Sequence, residues 1–353
     1  MRLLSFSRLV GILGAFLVLE GAVAGCSDRQ LPQRSPSSRA DDDEQDENDT
    51  SSSGSSGVSS SGEPGSSSGQ GGSSSSSSSS TGGPRAPGSL RVVNFNVRNL
   101  LNDVKDSTSS LETVLTPAEY QAHLADVAAA LADLDGDVVL LVEVENLAVL
   151  DDLRARPEIA GVYQHASILP SNDPRGISIG LLSKEATIDE TVTHRSDSIR
   201  GETGNYRYAR DVPEFHVTFK GHPMVLLGVH FKAKEADDPT ADNDKRLAEA
   251  RGARAIADSL LAADSTRPVL LLGDFNDDTP SASSTTVANG PPAFDGTVES
   301  GFWTVMYGGV RMTYDDQYAS PGFAALRDAA SVRVTRFADV SDHSAVSATY
   351  NFE

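Results

Sequence analysis

Cysteine is nearly absent: the 353-residue chain holds one, Cys26, so no intrachain disulfide can form. Basic residues are also scarce, with 29 Lys and Arg against 50 Asp and Glu, a formal net charge of −21. That balance excludes a protein that grips nucleic acid by bulk positive charge. A polyanionic substrate would have to be reached through metal ions and local Arg or Lys groups. No Cys/His cluster has the spacing of a zinc site, and no repeat of solenoid period is present. A membrane-spanning helix needs about 20 consecutive apolar residues. The apolar run at the start of the chain is shorter and is interrupted by Glu20.

That run instead has the layout of an export signal over residues 1–25, with Arg2 and Arg8 ahead of it and small residues before Cys26. Val23-Ala24-Gly25-Cys26 resembles the lipobox of bacterial lipoprotein precursors. The resemblance implies lipidation of Cys26 and anchoring to the bacterial cell envelope, at the outer membrane or cell surface. Residues 26–88 are Ser, Gly and acidic residues, including DDDEQDEND at 41–49 and eight consecutive serines at 73–80. Such a composition cannot bury enough apolar surface to offset its ordering entropy and reads as a flexible tether. Residues 89–353 alone have the apolar content of a globular domain, and their length suits one large α/β domain.

Within that domain, Arg91 to Val97 alternates, with Val93, Phe95 and Val97 on one face and Asn94 and Asn96 on the other, which predicts a strand. Thr116-Pro117-Ala118-Glu119 is a capping box with Pro at the first helical position, and the spacing behind it predicts a helix over 117–134. Asp137 to Val142 and Val269 to Leu272 are continuous apolar runs, as in strands covered on both faces. Further strands are expected at 177–182, 215–219 and 225–231, and an amphipathic helix at 244–263. The irregular alternation favours a mixed sheet with helices outside.

The two apolar runs end in Glu143 and in Gly273-Asp274-Phe275-Asn276. Ligand sites of open α/β sheets form beyond the carboxyl ends of strands. A carboxylate there needs a partner, and a divalent cation is a natural one. The candidate ligands Asn96, Glu143, Asp274, Asn276 and Asp342 are all oxygen donors, which suit Mg²⁺, Mn²⁺ or Ca²⁺. His230 and His343 stand at strand ends near this set and offer the tunable protonation that acid and base steps at phosphorus require.

Together, NFNVRNL at 94–100, VEVEN at 142–146, VHFK at 229–232, GDFN at 273–276 and SDH at 341–343 resemble the successive motifs of the endonuclease/exonuclease/phosphatase (DNase I-like) superfamily. The resemblance implies a four-layer sandwich, two mixed β-sheets packed face to face with helices outside, and Mg²⁺-dependent cleavage of phosphoester bonds. It implies Glu143 as principal metal ligand with Asn96 in support, Asp342 at the metal or phosphate centre, and Asp274 and Asn276 holding metal, phosphate or attacking water. His343 would be the general base or phosphate-contacting imidazole, oriented by Asp315 or Asp316. His230 would act near the leaving group, and Arg210 would contact phosphate.

The expected activity is an extracellular nuclease, with DNA favoured over RNA. A lipid head-group phosphodiesterase or phosphatase and a non-catalytic surface lipoprotein are the alternatives, the former lacking an obvious apolar docking loop. No protein partner is expected. Glu145 reads as structural; His123, His165, His194, His216 and His222 read as surface or packing residues. Lys232 and Lys234 read as contacts to a phosphate backbone or as solvated lysines, and Phe302 and Trp303 as base-stacking or packing groups.

Overall fold

A computed structural model describes residues 86–234 and 237–352. The export signal, Cys26 and the tether through residue 85 lie outside these residues. The chain runs through β1 (Ser89–Leu100), α1 (Pro117–Leu134), β2 (Val138–Val144), α2 (Leu147–Arg154), β3 (His165–Leu169), β4 (Ser178–Ser183) and β5 (Thr187–Val192). A small ladder of β6 (Ile199–Arg200) and β7 (Asn205–Tyr206) precedes β8 (Glu214–Phe219), β9 (His222–His230), α3 (Pro239–Ala263), β10 (Val269–Asp274) and α4 (Ala282–Ala288). Then follow β11 (Asp295–Gly296), the hairpin β12 (Val305–Tyr307) and β13 (Val310–Met312), β14 (Asp315–Ala319), α5 (Pro321–Ala324), β15 (Arg327–Arg336) and β16 (Ser344–Asn351).

Two six-stranded sheets result, ordered β15-β16-β1-β2-β4-β3 and β11-β14-β10-β9-β8-β5. In each, one central pair is parallel, β1 with β2 and β9 with β10, and the other pairings are antiparallel. Val92, Leu140, Val142 and Leu181 of the first sheet pack on Phe215, Leu226, Leu270 and Leu272 of the second. The outer face of the first sheet, with Val93, Phe95 and Val97, is covered by Leu124, Val127 and Leu131 of α1. The outer face of the second, with Val225, Leu227 and Leu271, is covered by Ala250, Ala253 and Ala257 of α3. This is the four-layer α/β sandwich that the resemblance implies, and burial on both faces explains the continuous apolar runs of β2 and β10.

Deep in the intersheet core, a polar side chain of the second sheet reaches the first. Gln317 of β14 is fully buried, and its Nε2 donates to Val92 O at 3.2 Å, Asn94 Oδ1 at 3.1 Å and Val346 O at 3.3 Å in the opposite sheet. Its Oε1 accepts from Tyr350 Oη at 3.0 Å, so both ends of the amide are satisfied. A buried network of this kind favours one relative placement of the sheets, because sliding either would strand several polar groups.

Helix α1 spans the expected residues, with Thr116 and Glu119 closing the capping box. Helix α3 begins five residues before the expected Asp244, at Pro239, where Asp238 caps Ala241 N at 3.0 Å. Its first turns hid from an apolar-spacing argument because the face they bury carries Asp242, Asp244, Arg246 and Glu249.

Candidate active site

Strand register assembles the centre. Asp274, at the end of β10, stands opposite His230 on β9 and opposite Asp315 on β14. Gly273 takes φ +134°, and a Cβ there would lie 2.2 Å from Val229 O, so only glycine lets β10 run this close to β9 before presenting Asp274. Asn276 at φ +51° turns back, donating from Nδ2 to Phe231 O at 3.0 Å and from its backbone N to Asp274 Oδ1 at 2.8 Å.

The first sheet meets this edge from across the core. Asn96 of β1 donates from Nδ2 to Asp274 Oδ2 at 3.0 Å. Asn94, on the same face, reaches Gly273 O at 3.5 Å. On β2, Glu143 adopts φ +70°, a left-handed conformation costly for a residue with a Cβ and one that collects at functional sites. Its Oε2 accepts from Asn99 N at 2.9 Å, and its Oε1 lies 3.8 Å from His230 Nε2. The break in strand geometry at Glu143 separates it from Glu145, which instead accepts Asn102 N at 2.6 Å and ties down a loop.

His343 arrives on the loop before β16. Its Nδ1 is 2.8 Å from Asp315 Oδ2, which selects Asp315 over Asp316 as its partner, and its Nε2 is 3.9 Å from Asp274 Oδ2. Asp316 points elsewhere, accepting backbone N–H from Thr297, Val298 and Gln317. Strand alternation separates the neighbours: side chains of adjacent strand residues face opposite sides. Asp342 is half exposed, 3.8 Å from Arg98 Nε, and so sits at the rim rather than in the buried cluster.

Arg210 is buried, with Nε 2.8 Å from Asp173 Oδ2 and Nη1 3.0 Å from Phe231 O. It therefore shares with Asn276 the carbonyl that follows His230. Asp173 and Glu249, which braces this segment through Ala209 N and Lys232 N, went unread in the sequence because nothing in their neighbourhoods marks them. Thr304 is a third such residue. Its Oγ1 accepts Tyr314 N and Asp315 N, both at 3.0 Å, and its carbonyl accepts Ser344 N at 2.7 Å, joining the Asp315 strand to the His343 loop. Lys232 and Lys234 are paired with Asp242 and Asp277, at 3.3 and 2.8 Å.

The environments of the two histidines push them apart. Burial, followed by the charges of Arg210, Arg175 and His343, holds His230 well below the ordinary imidazole range. Burial also opposes charge on His343, but the carboxylates of Asp315 and Asp274 and the hydrogen bond to Asp315 outweigh it and push this imidazole up to about 10. Burial, with the Asp315 charge, raises Asp274 to about 7, against the pull of His343 and the N–H groups of Asn276 and Asn96. The two imidazoles are thus pushed in opposite directions, the separation that lets two like groups take different proton roles.

The donor set suits a hard divalent cation. Single ligand atoms of Asp274, Asp315 and His343 lie within 4.8 Å of one another, but His343 Nδ1 is already engaged by Asp315. Glu143 has no Lys or Arg within ion-pair distance among the described residues; beyond the Asn99 N–H it meets His230, whose charged form burial disfavours. Asp315 Oδ1 is buried without a hydrogen-bond partner. Glu143 is therefore a carboxylate short of positive charge, and a cation bound there, with Asp274 beside it, would supply it.

The sequence model described as "Endonuclease/Exonuclease/phosphatase family" matches residues 91–307. No curated protein matches the chain. Among solved structures, the human Nocturnin catalytic domain with bound sulfate anion aligns at 14% identity and TM-score 0.52, covering 76% of this chain and 96% of that one. The endonuclease/exonuclease/phosphatase from Bacteroides vulgatus aligns at 15% identity and TM-score 0.51, covering 75% and 99%. D. rerio TDP2 complexed with single strand DNA product aligns at 17% identity and TM-score 0.50, covering 75% and 100%. At these identities the likeness is one of fold.

Proposed function

The chain belongs to the endonuclease/exonuclease/phosphatase family, whose members are hydrolases of phosphoester bonds, and from that footing we propose that it is a divalent-metal-dependent nuclease working outside the cell. The observation that carries the proposal is the meeting of His343–Asp315 with Asp274, Asn96, Glu143 and His230 at the carboxyl ends of the central strands of both sheets. Glu143 would hold the metal with Asp274 beside it, and the metal would offset charge on the phosphoryl oxygens and leaving group.

The chain's own groups set the rest of the chemistry. Asp315 fixes the His343 ring through Nδ1, which leaves Nε2 as the atom that exchanges a proton at the reacting phosphate. Its imidazolium form also stabilises phosphate charge. Neutral His230, held between Glu143 and Asp274 at 3.8 and 3.7 Å, offers an N–H to the leaving oxygen. Asn96 and Asn276 keep Asp274 from rotating away. Positioned acid and base groups of this kind typically contribute about 10²- to 10⁴-fold each.

The single-strand DNA product named in the zebrafish TDP2 structure supports a nucleic acid substrate, and Mg²⁺ is the cation that the oxygen donors favour. The lipobox-like sequence supports anchoring through Cys26 at the cell envelope. A second reading, a lipid head-group phosphodiesterase, draws on the exposed Phe302, Met306 and Val310 at the β12–β13 hairpin. On that reading these exposed side chains would serve as the apolar docking loop that the sequence did not make obvious.

The deciding experiment assays the full chain on DNA, RNA, sphingomyelin and a phosphoinositide with Mg²⁺, Mn²⁺, Ca²⁺ or EDTA, beside His343→Ala. Cleavage of nucleic acid alone, stopped by EDTA and by the substitution, upholds the nuclease. Turnover of lipid with inert nucleic acid selects the second reading. A folded chain that cuts nothing returns it to a binding role.

A further inference from the structure

In this acidic chain a cationic cluster stands beside the loop that carries His343. Trp303 carries two guanidinium groups over its ring, those of Arg311 and Arg336, each 5.1 Å from the centroid. Arg311 sits on β13, and Arg336 ends β15 with Nη1 3.5 Å from Asp342 O. Both arginines are exposed, and neither has an acidic side chain within ion-pair distance among the described residues. In a chain of net charge −21, two unneutralised guanidiniums stacked on one indole form a local attractor for anions.

The backbone joins this pair to the site. Val305 bridges His343, and Thr304 O accepts Ser344 N at 2.7 Å, so the Trp303 segment is laced to the loop that holds the histidine. Arg98, two residues after Asn96, closes the same rim through Asp342 at 3.8 Å. The exposed Met306 pairs with Arg311 across the hairpin, and Val310 pairs with Tyr307 one step nearer the turn.

We infer that Trp303, Arg311 and Arg336 form a phosphate-backbone subsite, beside the scissile position, for a single strand of nucleic acid. The inference rests on the nuclease reading and narrows it to an extended polyanion rather than a mononucleotide or a lone phosphate group. The indole holds the guanidinium planes in place, so less side-chain freedom is lost when phosphates bind. A lipid surface would engage the apolar Val310 at the hairpin turn, whereas Arg336, against the carbonyl of Asp342, stands on the side joined to His343.

The test compares wild-type full chain with Arg311→Gln, Arg336→Gln and the double variant. Substrates are an oligodeoxythymidylate decamer and bis(4-nitrophenyl) phosphate, and decamer binding is followed by fluorescence polarisation in EDTA. The double variant should lose about tenfold or more in decamer kcat/KM, chiefly through KM, and the salt dependence of decamer binding should weaken by about 1.4 in log–log slope, two single-strand phosphate contacts at about 0.7 each. The small diester, too short to span the rim, should change less than about twofold, as expected for losses confined to substrate binding.

Equal decamer cleavage and binding by wild type and double variant would overturn the subsite while leaving the nuclease reading intact. If wild type cuts nothing yet binds the decamer through these arginines, the nuclease reading falls and the subsite stands. If the arginines govern adsorption to phosphatidylglycerol vesicles and not decamer binding, the rim is a lipid surface and the inference is wrong.

Discussion

The two sheets end at the same place with different equipment. The first brings amides and an uncompensated carboxylate: Asn94 and Asn96 on β1, and Glu143 on β2. The second brings titratable neighbours, His230, Asp274 and Asp315, stacked across three adjacent strands, and His343 swings in beside them. On the proposed reading, the first edge would hold the cation and the second would hold and move protons. Burying all these groups on a single strand pair would leave like charges facing each other with no partner, whereas facing sheets let Asn96 donate to Asp274 across the core.

Proton handling is the half most sensitive to change. His343→Ala should lower kcat by about 10²- to 10⁴-fold with little change in melting temperature. Asp315→Asn should also lose activity, on the order of 10²-fold or more, because the ring loses its orienting carboxylate and the charge that raises its pKa. Asp316→Asn should keep activity within a few-fold while lowering stability, since its carboxyl, pushed up to about 7 by burial, serves three backbone N–H groups. Activity measured beside urea unfolding checks this trio. Loss of turnover in Asp316→Asn, with Asp315→Asn active, would break the assignment.

The cation-holding half has its own readout. Mg²⁺ at about 100 times its dissociation constant should stabilise the wild type by roughly 2.7 kcal/mol, and Glu143→Gln should abolish most of that increment. Calorimetry with and without EDTA decides it. An undiminished Mg²⁺ effect in Glu143→Gln would move the metal to the second sheet.

The two edges must also keep their spacing, and Gln317 is a side chain that spans the core with both ends of its amide bonded. Gln317→Ala should cost roughly 1–3 kcal/mol, the range for stranding buried partners, seen as a lower urea midpoint. An unchanged midpoint would mean that apolar packing alone sets the spacing.

The smallest expected effect separates pH-dependent stability from pH-dependent chemistry. On β8, far along the second sheet's order from β14, the hydrogen bond with Glu214 raises His194, aided by Asp197 against burial, and the same bond lowers Glu214. The raised histidine contributes stability that is complete below its unfolded value of about 6.5 and lost as pH rises through the folded value. The lowered Glu214 contributes above its unfolded value of about 4.3 and loses this on acidification. The pair therefore stabilises most between these limits. Glu214→Gln should flatten urea midpoints across this range without altering the pH profile of activity. A changed activity profile would show that the cluster reaches the site.

Much of this was legible along the chain because local rules operate there. Continuous apolar runs marked β2 and β10, a capping box marked α1, and oxygen donors at strand ends marked Asn96, Glu143, Asp274 and Asn276. Other features had no local signal. Asp173 and Glu249 matter only because Arg210 and Lys232 fold against them, and Thr304 only because the hairpin lies beside His343. The early start of α3 was hidden by a buried charged face.

Strand periods, caps and oxygen donors at strand ends are properties of short stretches, so the sequence by itself determined the α/β class, the main elements and the identity of the reactive groups. The choice of Asp315 over Asp316, the divergence of His230 from His343, and the placement of Trp303 beside them were decided only by tertiary structure. Each depends on distances and burial between segments far apart in the chain, and charge and dielectric act through space rather than along sequence.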